Sequence, residues 1–465
     1  MIFYRLNGFF KRKTFAQDTQ SSVHLNKTLG PFDLTMLGIG AVVGGGIFIL
    51  PGEIASEIAG PGIMISFIIA GIACCLAALC YSEFASKLPV AGSAYTYSYH
   101  VFGEGIAWIL GWSLLLEYGL AVAAIASGWS SYVKSLLAGF HIEIPTAISS
   151  SYNKANGTYF DLLAFLIVII IGILLSVGIR ESTRINNIMV IIKIAVVVLF
   201  IVVGAFYVKP DNWTPFLPFG FNGVITGASM VFFAYIGFDA VSTASEEVRN
   251  PQRNMPIGII SSLAVCTLLY ILLSAVLTGV ISYDKLVGVS APVAFALQAI
   301  NLNWLAGFLS LGAIVGMTTV ILVMSYGGTR LIFAMGRDGL LPKTFAKVNR
   351  KNTPVKNTLI FAFLMGVVAG LVPLNDLAAL INIGTLFAFS MVSIGIFFLR
   401  RNKDLPTSGF KTPLYPIVPG LSFVLCVYLM LNLPKLTWIS FSIWFVIGLF
   451  VYFLYGRKHS ELRKL

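Results

Sequence analysis

Three features of this sequence could do chemistry, and all three lie inside apolar runs. The first is GIGAVVGGGIF, Gly38 to Phe48, in which five of eleven residues are glycine. The second is Lys193, in NNIMVIIKIAVVVLF, and the third is Glu117, in WSLLLEYGLAVAA. Glycine costs a helix about 1 kcal/mol per residue relative to alanine. Gly40 and Gly44 form a small-xxx-small pair that lets two helices approach closely, which accounts for two of the glycines and not for five. Five together predict an unwound segment whose freed N–H and C=O groups line a cavity, since hydrocarbon offers them no partner. A ligand with both a carboxylate and an ammonium satisfies both sets. The carboxylate suits the N–H groups heading the second half-helix, at the positive end of its dipole. The ammonium suits the freed carbonyls.

Ionisable side chains inside a membrane are functional candidates, because each costs at least about 2.5–3.5 kcal/mol at a helix centre. Lys193 lies seven residues into its apolar run. It reads either as a proton carrier, gaining and losing its proton as its surroundings change, or as a lysine that snorkels to the interface. Glu117 reads as a pocket residue facing a ligand side chain, as part of a polar network beneath it, or as a structural hydrogen bond to a neighbouring helix.

The elements that must position these residues are helices in lipid. The chain has 465 residues, 57% hydrophobic and 11% charged, with a mean hydropathy of +0.89. Soluble proteins carry roughly 25% charged residues. A span needs about 20 apolar residues. Twelve candidate spans follow, at about 33–58, 61–86, 101–131, 160–178, 187–207, 221–244, 256–281, 303–334, 358–373, 377–399, 414–432 and 437–456. The fold class expected is all-α integral membrane.

The charge distribution orients the chain. With both termini cytoplasmic, 25 of the 31 Lys and Arg residues fall inside and five outside, with Lys193 in a span. That bias matches the positive-inside rule. The net charge of +12 is spread over short loops with no basic face, which excludes a nucleic-acid partner and leaves membrane lipid and a small ligand. Residues 1–32 hold five basic residues and no signal-peptide pattern, and read as a cytoplasmic arm. The five cysteines lie in apolar segments and the four histidines are scattered, so neither a disulfide framework nor a metal site is expected. Gly38-x-Gly40 is followed by Val43 where a dinucleotide fingerprint needs glycine, and no phosphate-loop Gly-Lys-Ser/Thr is present. No catalytic constellation is evident, so the chain does not read as an enzyme.

Span six repeats the theme of span one. FFAYIGFDA, Phe232 to Ala240, has a glycine and an aspartate, Asp239, where the run should stay apolar. Spans one and six hold equivalent places in two five-span halves. This suggests an inverted repeat: an arm at 1–32, repeats at 33–207 and 221–399, two further helices at 414–456 and a cytoplasmic tail at 457–465.

Four stretches resemble the amino acid–polyamine–organocation superfamily, and within it the bacterial members of the cationic amino acid transporter family. They are GIGAVVGGGIF at 38, LPVAGSAYTYSYHVFGE at 88, GFDAVSTASEEVRNPQRNMPIG at 237 and TRLIFAMGRDGLLP at 329. The resemblance implies the fold named for the leucine transporter, with substrate between spans one, three, six and eight. It would set the substrate carboxylate on the backbone at Gly44, Gly45 and Gly46, and the ammonium on carbonyls near Val42 and Phe233-Ala234. Phe233 and Ile236 would wall the side-chain pocket. Met324 would stand where arginine-accepting relatives carry a small residue, which shortens the pocket and favours alanine, threonine or a branched-chain amino acid. A fifth-span lysine takes the place of sodium in proton-coupled relatives. Lys193 would then reach carbonyls near Ile39 or Gly40 and a hydroxyl of Thr318 or Thr319. Asp239, Glu246, Glu247 and Glu83 would be gate or helix-end residues.

The expectation is a proton-coupled symporter of L-amino acids in the cell membrane, with the proton as coupling ion and no cofactor. The alternatives are an exchanger of the same superfamily, cationic amino acid uptake, and a non-transporting sensor. Nothing in the sequence identifies a small membrane subunit.

Overall fold

Where no water reaches the backbone, a helix is the one local structure that satisfies every peptide group within its own segment. The computed structural model describes residues 9–13, 27–88, 93–177, 183–349, 353–401 and 409–463. Among them there is no strand, only isolated bridges pairing Leu29 with Val248 and Asn153 with Thr158. Most of the predicted arm, the first residues of the 88 stretch and the end of the predicted tail lie outside the described residues, as does the side chain of Glu246.

The chain opens with α1 (Pro31–Val42), whose proline sits in the first turn, where its missing N–H is not needed. The Asp33 carboxylate accepts from the Gly30 N–H at 3.0 Å and closes that end. The helix stops at Val43, restarts as α2 (Gly45–Phe48) and continues as α3 (Leu50–Ile54). A π-turn over Ala55–Ala59 and a tight turn over Gly60–Gly62 lead into α4 (Ile63–Lys87). Then come α5 (Ser93–Val101), α6 (Glu104–Ala138), α7 (Leu162–Val177) and α8 (Thr183–Ala205). The second half opens with α9 (Gly220–Val231), which tightens to a 3₁₀ turn at Phe232–Tyr235 before the short α10 (Ala240–Thr243). It goes on through α11 (Pro251–Val280), α12 (Pro292–Ala299), α13 (Asn303–Arg337), α14 (Val355–Leu371) and α15 (Leu374–Arg401). Last are α16 (Ile417–Leu431), α17 (Lys435–Val451) and α18 (Arg457–His459).

Among the described residues, seven helices are long and apolar enough to cross a membrane, and five shorter apolar helices accompany them. The turn at Gly60–Gly62, with Gly60 at φ of 60°, separates the first two predicted spans. Within the first of them, Pro31–Val42 is a short helix before the break and residues 45–59 continue after it. The most extensive helix contacts are α6 with α13, α4 with α11, and α7 with α14. Each pairs a helix that precedes α9 with one that follows it. α8 lies against both α13 and α1.

At one pole, residues 9–13 and 461–463 meet the start of α6. Backbone N–H groups of Glu104 and Gly105 donate to Lys11 O and Phe9 O at 3.0 and 2.8 Å. The Lys11 ammonium donates to Leu462 O at 2.6 Å, and Arg463 pairs with Glu104 at 2.9 Å. The start of α6 is thus held between the two ends of the chain.

Candidate substrate-binding site

The two interruptions meet. A Cβ on Gly46 would stand 2.6 Å from the Ala234 Cα, so the backbones of the two broken helices touch where no side chain fits. Gly237 has φ of 118°, and a Cβ there would meet the Ala41 carbonyl at 2.9 Å. That conformation and that approach both require glycine. From α11, the Tyr270 hydroxyl reaches carbonyls of both breaks, Val42 O at 3.0 Å and Ala234 O at 2.7 Å. A phenol has one proton, so it donates to one carbonyl at a time and leaves lone pairs on both.

A cavity opens between the breaks and the middles of α6 and α13. Its floor is Ala41, Val42 and the backbone of Gly44, Gly45 and Gly46; Phe233 and Ile236 wall one side, and Ala121, Ile125, Val320 and Met324 face them. The N–H groups of Gly45 and Gly46 head α2, and the first turn of a helix has no internal acceptor for them. The space between atoms is about 250 Å³, yet the centre of a water-sized sphere finds only about 10 Å³ of it. That is room for about one water, so a larger ligand requires its walls to move. Phe233 and Met324, 5% and 2% exposed, are the walls with rotatable side chains long enough to make room. Every side chain on the lining is apolar, and the polar groups come from the backbone.

Lys193 is fully buried in α8, and its ammonium donates to Gly40 O at 2.8 Å. Its aliphatic stem lies along Gly316 of α13, where an added Cβ would meet Cγ at 3.1 Å. It does not reach toward the interface as a snorkelling lysine would. The Ile39 carbonyl accepts from Val43 N–H at 2.8 Å. Thr319 donates to Gly316 O at 2.8 Å, and Thr318 donates to Ile314 O while accepting from Trp129 Nε1.

Glu117 does not line the cavity. It sits on α6 one turn before Ala121, fully buried and outside the lining. Thr385 faces its carboxyl but donates back to Ile381 O at 3.1 Å, so neither carboxyl oxygen has a hydrogen-bond partner. Asp239 lies close by and accepts from the Tyr118 hydroxyl at 3.0 Å. Glu83 is at the far end of α4, bound by Arg400 through two nitrogens at 2.9 and 2.8 Å, by Lys87 at 2.9 Å and by the Thr412 N–H at 2.8 Å. Glu247 lies at the surface. Among the described residues no cluster of three metal-ligating side chains occurs, and the cysteines are unbridged.

Sequence reasoning did not single out Tyr270, Ala121, Ile125 or Val320. Spacing could have found three of them. Glu117, Ala121 and Ile125 lie four residues apart on one face of α6, and Val320 and Met324 do so on α13. Tyr270 gave no such signal, because what it bridges exists only after folding.

Residues 29–456 match the amino acid permease family. The chain is 51% identical to the methylthioribose transporter of Bacillus subtilis over 463 residues, covering 99% of this chain and all of that one. It is also 51% identical to the branched-chain amino acid permease BcaP of Bacillus subtilis over 467 residues, with the same coverage. Human cationic amino acid transporter 4 is 31% identical over 568 residues, covering 96% of this chain and 89% of that protein.

Proposed function

Because the chain belongs to the amino acid permease family, as a bacterial-type member of its cationic amino acid transporter branch, we propose that it imports a neutral, branched-chain L-amino acid by alternating access. The observation that carries this reading is the cavity lining. Backbone N–H groups of Gly45 and Gly46 suit the carboxylate, and carbonyls of Val42 and Ala234 suit the ammonium. The surrounding side chains are all apolar, which suits an aliphatic substrate side chain. The BcaP relative's name agrees with that substrate.

A second substrate has an observation in its favour, the equal identity to a methylthioribose transporter. A sugar brings several hydroxyls, and burying a hydroxyl without a partner costs about 1–3 kcal/mol. The lining offers no side-chain donor or acceptor for them, so the amino acid fits better.

Coupling is assigned to the proton, with Lys193 as its carrier. Protonated Lys193 braces the Gly40 carbonyl immediately before the break and holds α1 in the shape that binds substrate. When the proton leaves to the cytoplasm, the brace is lost and α1 is free to swing. The pairing of α4, α6 and α7 with α11, α13 and α14 supports a five-plus-five inverted repeat, and the loop charges support cytoplasmic termini. Exchange without proton coupling is the competing mechanism.

The test is uptake of labelled leucine, alanine and methylthioribose into proteoliposomes under an inward proton gradient without sodium. Wild type should accumulate leucine, and Lys193→Ala should lose accumulation while keeping binding or exchange. Uptake by counter-loaded vesicles alone, indifferent to the gradient, would replace the symporter with an exchanger.

A further inference from the structure

A groove lies away from the substrate cavity, along the first turns of α11. It is about 530 Å³ and is lined by Gln252, Arg253, Pro256, Ile257, Ile260 and Ser261, with Phe410 as its far wall. Two adjacent ridges form it, 252, 256 and 260 beside 253, 257 and 261, each at four-residue spacing. Polar groups occupy the first turn. The next turns are apolar apart from Ser261, with Ile257 39% exposed. Phe410 is held in place by its neighbours: its carbonyl accepts from Ser86 Oγ at 3.5 Å, and Thr412 is tied to Glu83.

The chemistry of the groove changes along its length in the way a phospholipid does. Arg253 is exposed and, among the described residues, forms no ion pair. Lys411, beside Phe410, is also exposed. On the Phe410 side, Glu83, which accepts from the Thr412 N–H, is already neutralised by Arg400 and Lys87. A guanidinium forms two parallel hydrogen bonds to a phosphate. From Arg253 to Ile260 the helix rises about 10 Å, which leads from a headgroup into the acyl region. Cationic pockets at the cytoplasmic end of membrane helices are suited to anionic lipid headgroups.

We propose that this groove is a binding site for an anionic phospholipid, its phosphate on Arg253 and one acyl chain along Ile257 and Ile260, against Phe410. The site bridges the start of α11 to the segment that follows α15, and so links two helices of the second half. It requires only that this end of α11 lies at a membrane surface, and does not depend on the transport reading.

The experiment measures lipid binding and thermal stability of the full chain, not transport. Protein stripped of lipid in detergent is titrated with phosphatidylglycerol or with phosphatidylcholine of the same acyl chains. Retained lipid is counted by mass spectrometry and unfolding is followed by intrinsic fluorescence. Phosphatidylglycerol should bind more tightly and raise Tm by a few degrees more than phosphatidylcholine. Arg253→Gln should weaken phosphatidylglycerol binding about fivefold, the equivalent of one surface cation, while Arg253→Lys keeps most of it. Ile257→Trp, which fills the groove, should exclude both lipids. Arg457→Gln, at the same pole but outside the groove, should change nothing. Equal binding of the two lipids, or an unchanged preference in Arg253→Gln, overturns the proposal. Binding of phosphatidylcholine alone would make the groove a neutral-lipid site and overturn it as well.

Discussion

At the scale of single residues, the decisive contacts are between side chains and freed backbone. Lys193 meets the Gly40 carbonyl at 2.8 Å with no exposure to solvent. Replacing it by methionine keeps the volume and removes the donor. Lys193→Met should therefore fold with a Tm near wild type yet accumulate no leucine under a proton gradient, as vesicle uptake would show. Gly46 is constrained differently. Its missing side chain is what lets the breaks meet, and the atom an added Cβ would strike belongs to backbone. Gly46→Ala should abolish leucine binding, read by calorimetry, even where the protein still purifies. Both positions were visible in the sequence because an ionisable residue and a glycine cluster are conspicuous in an apolar run. Ala121 and Ile125 were not, because apolar residues in an apolar run carry no such contrast.

At the scale of elements, the site is a junction of two interrupted helices clamped by a third. Tyr270 of α11 holds carbonyls of both breaks. Tyr270→Phe removes the shared donor and leaves a buried carbonyl short of a partner, at a cost of about 1–3 kcal/mol. Leucine affinity should fall roughly tenfold, and Tm should drop by a few degrees, measured by calorimetry and thermal unfolding. At the other end of α4, Glu83 is fully buried between Arg400 of α15 and Lys87. Removing Arg400 leaves Glu83 paired with Lys87, at a cost below the ~3–5 kcal/mol of a fully stranded buried charge. Arg400→Gln should lower Tm markedly, and Glu83→Gln combined with it should recover much of the loss. A pair of thermal unfolding curves would decide this. If the double variant is no more stable than the single one, Arg400 acts through its stacking on Tyr415 rather than through charge.

At the scale of the whole molecule, the two ends of the chain close one pole. Lys11 donates to Leu462 O, Lys13 pairs with Asp338 at 3.3 Å, and Tyr95 donates to the same carboxylate at 2.7 Å. Glu104 gathers Tyr452, Ser460 and Arg463. This clasp joins α5, α6 and α13 to residues 11–13 and 460–463, so opening of the molecule at this pole would break it. Deleting residues 1–13 should speed exchange of counter-loaded leucine in vesicles while lowering Tm. Slower exchange would mean that the clasp supports the transporting form instead.

The sequence by itself determined the solvent, the helical class and the place where the first helix breaks. These follow from local physics: apolar length sets a span, and consecutive glycines remove the helix. The family was also legible, through four stretches that keep their residues and order. Tertiary structure decided what no local pattern contains. It bridged the two breaks with Tyr270 and put Glu117 outside the cavity lining, beside Asp239. It also brought Phe9, Lys11 and Arg463 onto the start of α6. Each of these is a contact between residues tens to hundreds of positions apart. Such contacts are fixed by how helices pack and not by what any one segment prefers.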